Sequence, residues 1–197
     1  MKILAFSDMH QARSRAADIV AASAGADLVI GAGDFGNQRR GVAEAMEMLS
    51  GIKAPFVMVP GNNESLAELN AAAPSGAHVL HGTSVEIDGV TFFGIGGGIP
   101  PLPGCDWSWD FTEGEAEALL SGATTADVII SHSPPRGIAD VVTGLGPVGY
   151  LALRETVERV QPKLVVCGHI HDCWGQEGLI GASQVRNLGP TVNWFEV

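Results

Sequence analysis

The sequence has few cysteines and no long hydrophobic runs. The first feature argues against a disulfide-bonded protein, and the second against a membrane-spanning one. Its three cysteines are too few, and too odd in number, for a disulfide framework, which predicts a reducing compartment and hence a cytoplasmic protein. No apolar run approaches the roughly 20 residues that span a bilayer, and the apolar stretch at the N-terminus is too short for a signal-peptide core. We therefore expect no membrane partner.

Basic residues are also scarce. Eleven Lys and Arg residues are outnumbered by 22 Asp and Glu residues, which gives a formal net charge of -11. An acidic surface repels polyphosphate backbones, so a nucleic-acid partner is disfavoured. A local binding site can still differ, because net charge acts on solubility and long-range steering rather than on one pocket.

The chain does contain enough apolar material for one sizeable core. Hydrophobic residues make up 46% of the sequence and charged residues 17%, which excludes a disordered or collagen-like chain. A length of 197 residues fits one ordinary domain, and no internal repeat or linker interrupts it. We predict a single domain over residues 1–197, while the sequence specifies no oligomeric state.

Short β-rich runs alternate with helix-like stretches, a pattern typical of parallel strands joined by right-handed crossovers. Strands are predicted at residues 2–6, 27–31, 55–59, 126–131 and 163–167. Asp88-Gly89, between β-rich runs at residues 79–87 and 90–94, indicates a hairpin. Three short runs between residues 178 and 197 are predicted to be antiparallel strands. The sequence thus predicts a mixed, layered α/β domain.

Five small polar clusters each follow one of the apolar β runs. They are Ser7-Asp8-Met9-His10, Gly33-Asp34, Gly61-Asn62-Asn63-Glu64, Ser131-His132 and Gly168-His169-Ile170-His171. In open α/β sheets, ligands bind beyond the carboxyl ends of the strands. If these strands are neighbours, the five clusters meet at one rim and form one site.

The clusters supply carboxylate, amide and imidazole groups, and no thiolate. The candidate metal ligands are Asp8, His10, Asp34, Asn62, His132, His169 and His171. Mixed nitrogen and oxygen ligands suit Mn, Fe, Zn or Ni. Asp8 and His10 are two residues apart, as are His169 and His171. In extended backbone this spacing places both side chains of a pair on one face. Seven ligands are too many for one tetrahedral ion and suit two ions roughly 3.5–4 Å apart, an arrangement that clamps in-line phosphoryl displacement.

Each cluster alone also has a plain structural explanation. Asp8-x-His10 is compatible with a capping or surface role, and Gly33-Asp34 with a turn before a helix. Residues 61–64 are compatible with a turn followed by a first-turn carboxylate. Four of the six histidines nevertheless fall within the ordered set, and this concentration favours one shared site.

The order Asp8-x-His10, Gly33-Asp34, Gly61-Asn62-x-Glu64, His132, Gly168-His169-x-His171 resembles the calcineurin-like metallophosphoesterase superfamily, and in particular its small bacterial phosphodiesterase-like members. The resemblance implies a four-layer αββα sandwich of two mixed β-sheets flanked by helices. It also implies a binuclear metal centre. One ion would be held by Asp8, His10, Asp34 and His171, and the other by Asp34, Asn62, His132 and His169, with Asp34 bridging.

The resemblance implies a hydrolase whose cofactors are two divalent transition-metal ions, with Mn²⁺ favoured and Fe, Zn or Ni as alternatives. Its substrate would be a small phosphodiester, or a phosphomonoester with a good leaving group, attacked in line by a metal-bridging hydroxide. Asp34, Asn62 and His132 are the candidate catalytic residues. A nuclease and a catalytically weak or inactive scaffold of the same fold are the alternatives; the acidic composition counts against the first, and the intact ligand set against the second.

One position departs from the family pattern. Members commonly carry His where this chain has Asn63, and that His is thought to protonate the leaving oxygen, which an amide cannot do near neutral pH. This departure favours diesters and acidic leaving groups. Asn63, Arg39 and Arg136 are candidate substrate contacts, because arginine holds phosphate oxygens in pairs; for the arginines a solvated surface position is the alternative.

Other side chains near the clusters have two interpretations each. His78 and His81 are candidate stand-ins for the missing His, with a solvated hairpin as the favoured placement. Trp107 and Trp109 suit either core packing or stacking on a nucleobase, with packing favoured.

Overall fold

The computed structural model describes residues 1–197 and contains two large mixed β-sheets packed face to face. The first sheet consists of β1 (Lys2–Phe6), β2 (Leu28–Gly31), β3 (Phe56–Met58), β4 (His78–Val79) and β13 (Asn193–Glu196). The second consists of β5 (Thr83–Ile87), β6 (Val90–Ile95), β7 (Val128–Ser131), β10 (Leu164–Cys167), β11 (Glu177–Ile180) and β12 (Ser183–Asn187). A small separate hairpin pairs β8 (Val141–Val142) with β9 (Gly146–Pro147).

Five helices cover the outer faces of the sheets. They are α1 (Arg13–Ser23), α2 (Val42–Met48), α3 (Leu66–Ala72), α4 (Glu113–Leu120) and α5 (Leu151–Val160). Helices α1 to α3 pack on the first sheet, and α4 and α5 on the second. None of the five has the length and apolar character needed to cross a membrane. The predicted four-layer αββα arrangement is confirmed.

The central strands are parallel and the edges are antiparallel. In the first sheet β1, β2, β3 and β4 run parallel, and β13 pairs antiparallel with β1. In the second sheet β6, β7, β10 and β12 run parallel, with β5 and β11 antiparallel at the two edges. The carboxyl ends of the parallel strands in each sheet therefore lie along one edge, where the polar clusters begin.

The alternation of side chains along each strand builds the layers. On β1, Ile3 and Ala5 pack between the two sheets, whereas Leu4 and Phe6 pack beneath the helices of the first sheet. All four side chains are fully buried. Both faces of the central strands are covered, which explains why these strands read as continuous apolar runs instead of alternating ones.

Two strand predictions were wrong in detail. Residues 79–87 are not one strand: Val79 belongs to β4 of the first sheet, and the chain crosses to the second sheet before β5. The C-terminal runs are not simply antiparallel, because β12 lies parallel to β10 while β13 returns to the first sheet. The Asp88-Gly89 hairpin is confirmed by the antiparallel pairing of β5 with β6.

Candidate metal centre

The seven candidate ligands lie together where the carboxyl edges of the two sheets meet. Asp8, Asp34 and Asn62 follow β1, β2 and β3 of the first sheet, and His132 and His169 follow β7 and β10 of the second. The strands are therefore not neighbours in one sheet, as a single rim would require. The site instead spans both layers of the sandwich, which face each other across the inter-sheet core.

The first half of the site joins two carboxylates and two imidazoles. His10 Nε2 lies 3.6 Å from Asp34 Oδ2 and 3.4 Å from His171 Nε2. His171 Nε2 also lies 3.8 Å from Asp8 Oδ1. Asp8, His10 and His171 present their ligand atoms within 4.8 Å of one another, close enough to hold one metal ion. We call Asp8, His10, Asp34 and His171 the first half-site.

The second half joins one carboxylate, one amide and two imidazoles. His132 Nε2 lies 3.4 Å from Asp34 Oδ1 and 3.2 Å from Asn62 Oδ1. His169 Nδ1 lies 3.1 Å from the same Asn62 oxygen. We call Asp34, Asn62, His132 and His169 the second half-site. Asp34 turns one oxygen toward each half, which is the geometry that a bridging carboxylate needs.

The backbone brings these side chains together by an unexpected route. Asp8, His10, Asp34 and His169 all have positive φ, between 45° and 67°. The prediction that extended backbone aligns the pairs was therefore wrong, because left-handed turns align them instead. Such conformations are uncommon for residues other than glycine and cost on the order of 1 kcal/mol or more each. Their concentration here is typical of a functional site.

Two backbone carbonyls fix the orientation of the imidazole rings. His132 Nδ1 lies 2.8 Å from the Ala32 carbonyl oxygen, and His10 Nδ1 lies 3.1 Å from the Gly36 carbonyl oxygen. A carbonyl can only accept, so each Nδ1 donates and each Nε2 of the neutral ring points a lone pair into the cluster. For His132 this lone pair faces two acceptors, Asp34 Oδ1 and Asn62 Oδ1. Such a set of atoms fits a cation between them.

The pKa values in the cluster indicate that its carboxylates favour a positive charge close to them. Burial opposes protonation of His132, but the Asp34 and Asp8 carboxylates outweigh it and raise its pKa to about 9. Burial and the charge of His132 lower the pKa of His169 to about 3. Burial acts to raise the pKa of Asp34, yet His132 and His10 hold it well below its usual range. The donor set therefore suits metal ions.

Glu64 and Asn63 hold the Asp34 turn in place. Glu64 is fully buried, and its carboxylate accepts backbone N–H groups from Asp34 at 2.8 Å, Gly36 at 3.1 Å and Gly61 at 2.7 Å. Asn63 donates its backbone N–H to Asp34 Oδ1 and its side-chain amide to Asp34 Oδ2, at 2.9 and 2.7 Å. The structural alternative of a first-turn carboxylate does not apply to Glu64, because α3 begins at Leu66 after the N-cap Ser65.

The three predicted substrate contacts form hydrogen bonds within the protein. Asn63 is 6% exposed, and its side-chain oxygen accepts the Gln38 N–H at 2.7 Å. Arg39 Nε bonds to Glu68 at 2.8 Å, and Arg136 donates to the Gly149 carbonyl oxygen at 3.4 Å. Neither arginine has a hydrogen bond or ion pair with the seven candidate ligands.

The aromatic side chains of the site loops pack against one another. The His81 ring lies 4.9 Å from Trp109 and 5.0 Å from Phe111, and its Nδ1 accepts the Gly96 N–H. Burial lowers the pKa of His81. The solvated placement of His81 was therefore wrong, and the favoured packing role of Trp109 is confirmed.

Trp174 contacts the first half-site and was missed by sequence analysis. Its Nε1–H donates to Asp8 Oδ2 at 3.2 Å, and its ring centroid lies 4.3 Å from that of His171. Ser7 donates its hydroxyl to the same Asp8 oxygen at 2.5 Å. An aromatic residue one turn after His171 was the only signal for this contact in the sequence.

Comparison with known proteins identifies the family of the chain and agrees with its fold. The family model described as calcineurin-like phosphoesterase matches residues 1–173. A UPF0046 protein of Caenorhabditis elegans is 29% identical over 196 residues, covering 89% of this chain and 65% of its own length. The chain thus spans less than two thirds of the length of that relative.

Solved structures of low sequence identity share the fold. The protein TT1561 of Thermus thermophilus has a TM-score of 0.77 at 19% identity and covers 98% of this chain and 97% of its own. A dimetal phosphatase from Danio rerio has a TM-score of 0.61 at 14% identity and covers 96% and 88%. Because this family model matches residues 1–173, which is most of the chain, the chain belongs to the calcineurin-like phosphoesterase family.

Proposed function

We propose that the protein is a dimetal phosphoesterase that hydrolyses small phosphodiesters, or phosphomonoesters with acidic leaving groups. The observation that carries the proposal is the position of Asp34, which turns Oδ2 toward His10 and Oδ1 toward His132. One carboxylate thus serves two half-sites built from mixed nitrogen and oxygen ligands. Mn²⁺ is the favoured ion for such a set, with Fe, Zn or Ni as alternatives.

The chain's own residues would prepare the site before substrate arrives. The carbonyl groups of Ala32 and Gly36 orient the rings of His132 and His10, so that each Nε2 faces the cluster and would donate an electron pair to a metal ion that displaces its proton. Asn63 and Glu64 hold the Asp34 turn, so the ligands need little rearrangement. Bound metal ions would polarise the phosphoryl oxygens and lower the pKa of a bound water. Asp34, Asn62 and His132 would then act as the catalytic residues by holding those ions against the reacting phosphate.

Asn63 supplies no proton to the leaving group. Both ends of the Asn63 amide are engaged, with Asp34 on one side and Gln38 on the other. An amide also has no acidic proton near neutral pH. The substrate should therefore be one whose leaving oxygen departs readily as an anion. This supports a preference for diesters and acidic leaving groups over alkyl phosphomonoesters.

A metal-supplemented substrate screen tests the proposal. Purified protein with Mn²⁺, Fe²⁺, Zn²⁺ or Ni²⁺ would be assayed on aryl phosphomonoesters, linear aryl diesters and cyclic nucleotides. We expect the protein to hydrolyse at least one diester. A chelator should abolish this activity, and added Mn²⁺ should restore it. Protein that binds two ions but hydrolyses none of these substrates would favour the inactive scaffold.

Replacing Asn63 with histidine should change the leaving-group dependence. We expect turnover of alkyl-leaving-group esters to rise about 10-fold or more, because an imidazole can donate a proton to the departing oxygen. The Asn63→Ala variant is the matched control, since it also loses the amide contact with Asp34 but adds no acid. Unchanged rates in the histidine variant would remove position 63 from the account of specificity.

Trp174 should report occupancy of the first half-site by its fluorescence. Paramagnetic Co²⁺ or Ni²⁺ bound near Asp8 and His171 would quench an indole that contacts both residues. We expect saturable quenching that disappears in Trp174→Phe. Trp194→Phe is the matched control, because Trp194 has a similar exposure, 41% against 39%, but packs against Lys2. Quenching that survives in Trp174→Phe would show that the ions bind elsewhere.

A further inference from the structure

A loop from the second sheet reaches back to the amide of Asn62. Asn62 Nδ2 donates to Ser108 Oγ at 2.8 Å, and Ser108 Oγ donates in turn to Asp110 Oδ1 at 2.6 Å. The Trp109 backbone N–H donates to the Asn62 carbonyl oxygen at 2.9 Å. Three consecutive residues of this loop therefore take part in holding one candidate metal ligand. None of them belongs to the motifs that identify the site.

We call the chain of hydrogen bonds from Asn62 through Ser108 to Asp110 the relay. The chemistry of its groups determines which one donates in each contact. The ionised carboxylate of Asp110 can only accept hydrogen bonds, so the single hydroxyl proton of Ser108 is used in that contact. Ser108 Oγ can then only accept from Asn62, and the NH₂ end of the amide must face the loop. The opposite end, Asn62 Oδ1, is thereby turned toward His132 and His169, at 3.2 and 3.1 Å. A reversed amide would present hydrogens to the second half-site in place of an oxygen.

Asp110 is itself held in place. Its Oδ2 accepts the Leu102 backbone N–H at 2.9 Å. Its carboxylate also lies so close to Gly98 that a Cβ at that position would overlap Oδ1. The acceptor that fixes the Ser108 proton is thus set by the loop backbone and does not depend on the metal ligands.

The loop does not need the Ser108 hydroxyl to stay attached. Backbone hydrogen bonds cross the loop at Gly98, with Gly98 N–H to Trp109 O at 3.0 Å and Phe111 N–H to Gly98 O at 2.9 Å. The contact between Trp109 N–H and the Asn62 carbonyl also involves no side chain of the relay. Losing the Ser108 hydroxyl should therefore affect the Asn62 amide more than the position of the loop.

From this geometry we propose that Ser108 and Asp110 are positioning residues that fix the orientation of the Asn62 amide and so control the affinity of the second half-site for its metal ion. The inference rests on the proposed dimetal function. It predicts an effect confined to one of two ions, because the first half-site contains neither Asn62 nor any contact with the relay.

Metal binding measured ion by ion tests the proposal. Wild type, Ser108→Ala and Asp110→Asn would be titrated with Mn²⁺ by equilibrium dialysis and with Co²⁺ by visible absorption, and thermal midpoints would be recorded. We expect two ions in wild type. In both variants the first ion should bind as before and the second about 10- to 100-fold more weakly, the range typical of outer-shell substitutions. Asp110→Asn matters most, because its amide can donate to Ser108 and free the hydroxyl proton for the wrong end of Asn62.

Two further variants separate positioning from general damage to the loop. Ser108→Thr keeps the hydroxyl, so it should bind the second ion with wild-type affinity, unlike Ser108→Ala. Asp106→Asn alters an exposed carboxylate of the same loop and should change neither ion. Wild-type binding of both ions by Ser108→Ala and Asp110→Asn would overturn the relay while leaving the dimetal site intact. Wild type that binds no ion would overturn the proposed function, and the relay with it.

Discussion

Replacing Asp34 with asparagine is expected to abolish metal-dependent hydrolysis, lowering kcat/KM by at least about 10³-fold. One carboxylate serves both half-sites, so its loss weakens two ions at once. The new NH₂ group would also meet hydrogen-bond donors, because Asn63 already donates to Oδ1 through its backbone and to Oδ2 through its side chain. Whichever way the amide turns, it would oppose a donor or point hydrogens at His10 or His132.

Elemental analysis and steady-state kinetics of the same preparations measure this effect. Asp88→Asn is the matched control, because Asp88 also has a positive φ, 50° against 59° for Asp34, but lies in the hairpin turn between β5 and β6. The control should retain two ions and full activity. An Asp34→Asn variant that keeps both ions would show that the carboxylate does not bridge them.

Replacing Glu64 with alanine should lower the free energy of unfolding by about 3 kcal/mol or more. The Glu64 carboxylate accepts four backbone N–H groups, those of Asp34, Phe35, Gly36 and Gly61. The side chain is fully buried, so these donors would lose their acceptor without ready access to water. The substitution therefore acts on stability through the turn that carries Asp34.

Urea denaturation, measured without added metal, separates this effect from ligand binding. Glu68→Ala is the control from the same segment: Glu68 forms the capping box of α3 and pairs with Arg39, but lies at the surface. Its loss should cost about 1 kcal/mol or less. Equal losses for the two variants would contradict the role given to Glu64.

The sequence predicted the location of the site because its ligands obey a local rule. Polar residues that follow buried parallel strands must lie at the carboxyl edge of the sheet, so the positions of Asp8, Asp34 and His132 follow from strand prediction alone. The left-handed backbone at Asp8 and His10 was not predictable in the same way. Turns of that kind depend on contacts with distant loops, here hydrogen bonds from His10 N–H and Gln11 N–H to the carbonyl groups of Asp34 and Phe35, which follow β2.

Residues that support the ligands were missed because their contacts are distant in sequence. Ser108 lies 46 residues from Asn62, and Trp174 lies 166 residues from Asp8. Neither has a spacing that marks it, since serine and tryptophan occur in loops for many reasons. The parallel pairing of β12 with β10 was missed for the same reason: a strand of five residues does not specify its partner, which packing selects.

The most direct test of the two-ion site is anomalous diffraction at the manganese edge from crystals grown with Mn²⁺. We expect two peaks roughly 3.5–4 Å apart, one on each side of the Asp34 carboxylate. One peak should be surrounded by Asp8, His10 and His171, and the other by Asn62, His132 and His169. A single peak, or peaks away from Asp34, would contradict the two-ion site on which the proposed chemistry depends.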